Sequence, residues 1–163
     1  MFCSECGEKL TLMFASGEGL VPYCKNCGGF RFAHFASAVS MVVTNRQKDK
    51  ILLAKHIGQD DYILFAGYIK KGETAEKAVT REFKEETKLD TVKFKYMSSR
   101  YHEPKNVLMF NYLIVAEDGE PVIDIKELEE VRWFPVEEAL SYVKHDSTAE
   151  FFLKNALPEI KKI

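Results

Sequence analysis

After residue 27 the chain contains no cysteine, and none of the four before it is left over from a C-x2-C pair. No apolar stretch approaches the roughly 18 residues that a membrane-spanning helix needs, which excludes such a helix. Charge of neither sign dominates. Lys and Arg number 23 against 25 Asp and Glu, and the net charge of -2 points to neither a polyanionic partner nor a membrane surface. No basic-then-apolar leader precedes Cys3, so no secretory signal is visible and a cytoplasmic protein is expected. Low-complexity segments and internal repeats are missing as well. What remains is an ordinary globular composition, 46% hydrophobic, in a chain of 163 residues. That length suits one main domain with a small appendage.

The appendage is where the cysteines lie. They read Cys3-Ser-Glu-Cys6-Gly and Cys24-Lys-Asn-Cys27-Gly, with 17 residues between the pairs. Two C-x2-C pairs at such a distance match the ligand spacing of a tetrahedral zinc site. Gly7 and Gly28 follow the pairs, where a tight knuckle needs glycine's backbone freedom. Structural disulfides are the first alternative, but C-x2-C pairs rarely bridge as staples and nothing here suggests secretion. A redox dithiol is the second, and no thioredoxin-like βαβ pattern surrounds either pair. Four thiolates fill a zinc tetrahedron and leave no open position for water, so Cys3, Cys6, Cys24 and Cys27 read as a structural zinc site. A segment of about 30 residues is too short for its own core, and the metal substitutes for the missing apolar burial. Lys9, Lys25 and Arg31 stand against Glu5, Glu8 and Glu18 and form no basic stripe, so nucleic acid is not the expected partner.

The run from Gly67 to Leu89 carries the second signal. On a helix over Thr74 to Thr87, Ala75, Ala78, Val79 and Phe83 form one apolar stripe at 100° per residue. Glu82 and Glu86 fall inside that stripe and Glu85 lies at its margin, while Lys77, Thr80 and Lys84 point toward water. A soluble helix does not aim carboxylates at its core side without compensation, because an unpaired buried charge is costly. Acids at i, i+3 and i+4 converge on one small volume. A hard divalent cation with oxygen ligands, usually Mg2+, is the simplest compensation. The alternative is a solvated surface helix rich in Glu and Lys, and the acids sit on the wrong face for it.

The spacing G-x5-E-x7-R-E-U-x-E-E-x-x-U, with U bulky and apolar, resembles the Nudix hydrolase box. Gly67, Glu73, Arg81, Glu82, Phe83, Glu85, Glu86 and Leu89 match it, and Lys88 departs from it where the family carries glycine. That glycine serves a left-handed turn closing the helix. The resemblance implies an α/β/α sandwich, a loop-helix-loop that binds Mg2+ or Mn2+, and hydrolysis of a nucleoside diphosphate linked to another group. It implies Glu82, Glu85 and Glu86 as the main metal ligands, with the Gly67 carbonyl as a further one. Arg81 and Glu73 are expected to pair and orient the loop, and Glu85 or Glu86 is expected to deprotonate the attacking water. Homodimers are common among such relatives.

Along the chain, residues 1–32 are expected to form the ribbon and residues 36–163 the main domain. Ala36 to Thr44, Ile51 to Ala54, Tyr62 to Ala66, a hairpin pair over Val92 to Arg100 and Val107 to Ala116, and Val131 to Phe134 read as strands. Glu117 to Glu120 reads as a turn. Pro135 is placed at the first position of a helix, and Ser147 or Thr148 caps a last one. Intermixed strands and helices define an α/β class with a mixed sheet between helices.

A zinc ribbon directly before a Nudix domain resembles the NAD(H) diphosphatases, which cleave NAD(H) to a mononucleotide and AMP; related members remove NAD caps from RNA. Residues 122–134 look like the segment that carries an outlying acidic metal ligand in that branch. By position this is Glu127, which reads equally as a solvated acid beside Glu129 and Glu130. Trp133 reads as a core residue. That branch also carries S-Q-P-W-P-F-P after the box. Here the corresponding stretch is Ser99-Arg100-Tyr101-His102-Glu103-Pro104-Lys105, and only the serine is kept. Charge and a titratable imidazole replace a rigid apolar clamp. Arg100 and Lys105 could meet a phosphate, Tyr101 could stack on a ring, and His102 joins them as a substrate-binding candidate. The expected substrate is a small nucleotide: NAD(H), or else ADP-ribose or a nucleotide sugar. A non-catalytic nucleotide sensor is the other class, and it fits less well because the box carboxylates are all kept.

Overall fold

The computed structural model describes residues 1–122 and 128–163. The chain divides into two compact units, Met1–Phe35 and Ala36–Ile163.

In the first unit, β1 (Thr11–Ala15), β2 (Gly19–Cys24) and β3 (Gly29–Phe30) form an antiparallel sheet in that order. The two cysteine pairs close turns of the same kind. The Gly7 N–H donates to the Cys3 carbonyl and the Gly28 N–H to the Cys24 carbonyl, each at 2.9 Å. Gly7 and Gly28 have φ of +74° and +67°, a region where a side chain would be strained. Apolar burial is thin. Ala15 and Val21 are the buried aliphatic residues, beside the sulfurs of Cys3 and Cys24.

The second unit is built on one mixed sheet. Its strands are β4 (Ala36–Thr44), β5 (Lys50–His56), β6 (Phe65–Tyr68), β7 (Thr91–His102), β8 (Val107–Ala116) and β9 (Leu128–Pro135). The order is β7-β8-β4-β5-β9, with β6 on β4 as well. β4 lies parallel to β8 over nine residue pairs. Its other edge is divided: Val43 and Thr44 pair with β5, whereas Ala38 to Met41 pair with β6. The period-2 alternation of strand side chains separates two cores. Val39, Met41 and Val43 join one cluster with α1 (Ala75–Thr87), and Val42 joins the other with α2 (Thr148–Ala156). The same alternation sends Leu52 to the α1 side and Ile51 and Leu53 to the α2 side. The unit is therefore an α/β/α sandwich.

Helix α1 forms where the box predicts it. The Thr74 hydroxyl caps its start by accepting from the Lys77 N–H at 3.4 Å. Ala78, Val79, Phe83 and Thr87 are buried along one face; burying Phe83 alone is worth about 2–3 kcal/mol. Lys88 ends the helix at φ +63°, and its N–H returns to the Lys84 carbonyl. The left-handed turn of the family's glycine is thus formed by a lysine.

Two expectations need correction. The third strand runs from Phe65 to Tyr68, not from Tyr62 to Ala66, because β4 takes Phe65 to Tyr68 as its partners. Tyr62 and Ile63 instead bridge Val143 and Ala54. Pro135 starts no helix. It is the last residue of β9, paired with Lys50, and only a 3-10 turn over Ala139–Tyr142 follows. The other elements fall close to their expected ranges. Ser147 caps α2 by accepting from the Glu150 N–H at 3.0 Å, and Trp133 packs against the α1-side core.

A left-handed non-glycine residue stores about 1 kcal/mol of backbone strain. Lys88→Gly is therefore expected to stabilise the second unit by about that amount in urea unfolding at neutral pH; an unchanged or lower midpoint would show that the Lys88 side chain offsets the strain.

Candidate active site

Strand β6 delivers Gly67 to the middle of α1. A Cβ at Gly67 would fall directly on the Glu82 side chain, so only glycine lets the two backbones come this close with a carboxylate between them. Arg81 organises the acids around that point. Its Nε and Nη2 donate to the two oxygens of Glu73 at 2.7 and 2.8 Å, a bidentate pair. Nη1 donates to Glu82 at 2.6 Å and to Glu85 at 3.1 Å, and Nη2 also reaches the Tyr68 carbonyl at 3.0 Å. The expected pairing of Arg81 with Glu73 is present, and Arg81 additionally draws Glu82 and Glu85 onto one cationic nitrogen. Glu82 and Arg81 are largely sheltered, while Glu85 is exposed. Glu86 follows Glu82 by one helical turn and is half-buried.

These contacts set the protonation states. The Arg81 guanidinium, helped by the Lys70 N–H, holds the Glu73 carboxyl at about 2, well below its ordinary 4.5. Glu73 in turn raises the Arg81 pKa. Glu76, although acidic and on the same helix, belongs to the scaffold: it accepts from the Tyr112 hydroxyl at 3.1 Å. Burial and Glu76 together push the Tyr112 phenol up to about 12.

Beside β6 lies a cavity of about 370 Å3. Ala38, Ala66, Val107 and Met109 give it apolar walls, and His56, Tyr68, His102, Lys105 and Thr148 add polar groups. Gly67 lines it too, so the cavity and the carboxylates share one strand. His102 and Lys105 were expected near substrate and do face this space. Arg100 and Tyr101 do not line it. The Arg100 guanidinium lies over the Phe151 ring at 4.7 Å, and the Tyr101 hydroxyl donates to Asn106 at 2.5 Å. Strand alternation explains part of this split, because adjacent residues of β7 point to opposite faces. Glu127 lies outside the described residues. No local pattern hints at His56 or Thr148, which reach the cavity only through pairing of distant segments; Tyr68, next to Gly67, is the one addition with a local cue.

In the first unit the sulfurs of Cys3, Cys6, Cys24 and Cys27 lie within 4.8 Å of one another. Cys3 to Cys27 is 3.9 Å and Cys6 to Cys24 is 3.5 Å. Tetrahedral Zn–S bonds of about 2.3 Å place ligand atoms about 3.8 Å apart, so the cluster has the dimensions of a zinc site. Burial pushes the Cys3 thiol up, but the Glu5 N–H and the Arg31 guanidinium outweigh it and hold Cys3 at about 6. Hydrogen bonds with Cys6 and Cys24 push Cys27 up to about 12.

A glycine seated on a helix carboxylate, an arginine gathering three acids and an α/β/α sandwich around them are features of one family. The sequence model of the NUDIX domain matches residues 34–155, and the chain belongs to the Nudix family. The chain is 29% identical over 163 residues to the NAD-capped RNA hydrolase NudC of Photobacterium profundum, covering 98% of this chain and 59% of that protein. It is 32% identical over 135 residues to the NAD-capped RNA hydrolase NudC of Salmonella typhi, covering 82% and 51%. The chain thus spans between half and three-fifths of the length of these curated relatives. A crystal structure of a NUDIX hydrolase from Nitrosomonas europaea matches 97% of this chain and 90% of that one with a TM-score of 0.72 at 21% identity, a likeness of fold.

The Glu73 shift has a consequence for acid stability. A carboxyl with its folded pKa depressed from 4.5 to about 2 contributes stability that is fully present above about pH 4.5 and is lost as the pH falls toward 2. Glu73→Gln is expected to lower the melting temperature at neutral pH and to flatten its dependence on pH across that window. Parallel melting curves for both proteins between pH 4.5 and 2 would show that the Arg81 pair does not persist in solution.

Proposed function

We propose that the chain is a divalent-metal-dependent pyrophosphohydrolase acting on an NAD-like dinucleotide. The observation that supports this reading is Glu82 seated against the backbone of Gly67, with Glu85 drawn to the same Arg81 nitrogen and Glu86 one helical turn further along α1. Two of these acids already meet on a single positive nitrogen of Arg81, which is the charge arrangement that a hard cation would exploit. Glu82, Glu85 and Glu86 would hold Mg2+ or Mn2+, with the Gly67 carbonyl beside them and Glu127 as the outlying ligand that the family resemblance suggests. The ion, when bound, supplies Lewis acidity toward the phosphate oxygens and lowers the pKa of a ligated water.

The chain's own residues have separate tasks. Arg81 and Glu73 fix the loop before α1, so that Glu82 and Glu85 are aimed before substrate arrives. Glu85 or Glu86 takes the proton of the attacking water. The cavity beside β6 receives one half of the dinucleotide: the apolar walls take a ring, and Lys105 and His102 face its phosphate. The names of the NudC relatives support the NAD-like substrate, and the shared position of Gly67 on both the acids and the cavity supports cleavage at the diphosphate between the two halves. The four cysteines hold a structural Zn2+, a role supported by their sulfur spacing.

Product analysis across NAD, NADH, ADP-ribose, nucleotide sugars and NAD-capped RNA, with Mg2+ or Mn2+, tests the proposal. Release of a mononucleotide and AMP from the dinucleotides is expected, and cleavage of nothing on this panel would overturn it. Glu86→Gln should lower kcat by roughly a hundredfold or more with an unchanged circular dichroism spectrum, since it removes one metal-facing charge. A near-normal rate would mean that the ligand set is misplaced. For the ribbon, Cys24→Ser should abolish stoichiometric zinc in metal analysis and unfold the first unit, whereas undiminished zinc content would remove the four-cysteine assignment.

A further inference from the structure

The cysteine cluster has two unlike halves. Cys3 and Cys24, one from each knuckle, are buried, while Cys6 and Cys27 are exposed. Donors reach both halves, with the Asn26 side chain and the Glu8 N–H on Cys6, but the charged donor is on a buried sulfur. The Cys24 sulfur accepts the Cys27 N–H at 3.4 Å, and the Cys3 sulfur accepts Nε of Arg31 at 3.2 Å. Among the described residues, Arg31 is the cation hydrogen-bonded to the sulfurs. It comes from 28 positions downstream, so neither knuckle supplies it.

Arg31 is held at both ends for this contact. Its backbone N–H donates to the Pro22 carbonyl at 2.7 Å, which continues the pairing of β2 past β3. Its Nη1 donates to the Phe30 carbonyl at 3.1 Å. A Cβ at Gly29 would come within 3.1 Å of that Nη1, so the absence of a side chain at Gly29 leaves the guanidinium its place. Phe30 is fixed in turn by an edge-on contact with Tyr23 at 5.1 Å. A long, flexible side chain loses rotamer entropy when pinned in this way, and a bond to an ionised sulfur offsets that loss better than a bond to a neutral one.

We propose that Arg31 is a positioning residue of the metal centre: its guanidinium N–H shields the Cys3 thiolate, so that metal loss and electrophilic attack begin at Cys6 and Cys27 and reach Cys3 last. The inference rests on the zinc reading given above. Four thiolates around one Zn2+ leave a doubly negative centre. A cationic N–H donor on one sulfur withdraws charge from it, lowers its nucleophilicity, and fixes its orientation toward the metal. Exposure directs attack to the other pair, which has neither the burial nor the guanidinium.

The test uses the full chain at one fixed pH. Metal analysis of the unaltered protein comes first, and about one zinc per chain is expected; a zinc-free protein overturns the zinc reading and this inference with it. Zinc transfer to the chromogenic chelator 4-(2-pyridylazo)resorcinol is then timed for the unaltered protein, Arg31→Gln and Arg31→Lys. Loss of an outer hydrogen bond to a ligand typically costs ten- to a hundredfold in affinity, so Arg31→Gln should release zinc about tenfold faster. Arg31→Lys keeps the charge and the stem but not the Nε geometry, and should fall between the two. In parallel, partial alkylation with N-ethylmaleimide, in which the thiolate adds to the double bond and water supplies a proton, is mapped by mass spectrometry. Cys6 and Cys27 should be modified before Cys3 in the unaltered protein, and Cys3 should join them early in Arg31→Gln. The Co2+-loaded proteins give a readout that does not depend on rates: the thiolate-to-metal charge-transfer band should shift to lower energy in Arg31→Gln and less in Arg31→Lys. A zinc-loaded protein whose release rate, alkylation order and cobalt spectrum are the same with and without Arg31 overturns the Arg31 assignment and leaves the zinc reading standing.

Discussion

One guanidinium organises the main unit's candidate site. Arg81 touches three carboxylates and one carbonyl, and these come from the loop before α1, from α1 itself and from β6. Without it, Glu73 and Glu82 would be sheltered acids of like charge with no partner between them, and Glu73 would have a strong reason to protonate or to turn outward. With it, Glu73 stays ionised. The cost of sheltering Arg81 is met by the bidentate Glu73 pair, whose geometry suits a planar fork and not a lysine. Around this guanidinium the carboxylates of Glu73, Glu82 and Glu85 outnumber the single Arg81 charge, and such a local excess would favour a cation next to a phosphate-bearing ligand.

The fold around this hub follows from the way β4 is shared. Its full length is committed to β8 on one side, and its other edge passes from β6 to β5 partway along. The changeover makes Gly67 a strand residue that also borders open space. The acids and the cavity then meet at a single backbone position. No catalytic residue has to cross the core for this, since Gly67 borders both α1 and the cavity, which its neighbours Ala66 and Tyr68 also line.

Much of this was legible in the sequence, and the reasons differ by element. Helix α1 could be read to within a residue because its cap, apolar stripe and left-handed end are all local properties of consecutive residues. The Arg81–Glu73 pair was readable from the family spacing, and the four cysteines from their arithmetic. β6 was misplaced because its limits are set by β4, some 27 residues earlier, and a short strand has little pattern of its own. Pro135 misled because the same fixed φ that suits the first turn of a helix also suits the end of an edge strand. The cavity was half legible. His102 and Lys105 were visible as a departure from a family motif, but His56 and Thr148 reach it through tertiary pairing that no local signal announces. Arg31 could not be read as a partner of sulfur, because in sequence it is only one cation in a neutral ribbon, far from the cysteine it meets.

The divided edge of β4 also bears on motion. Two residue pairs join β5 to β4, against nine on the β8 side. Sheets open where the fewest bonds must break at once, so amide protons of β5 near this seam should exchange sooner than those buried between β4 and β8. The strand bearing Gly67 holds the other stretch of that edge through four pairs of its own, so a breach at the Ile51–Leu52 seam leaves it anchored and the acids beside it undisturbed.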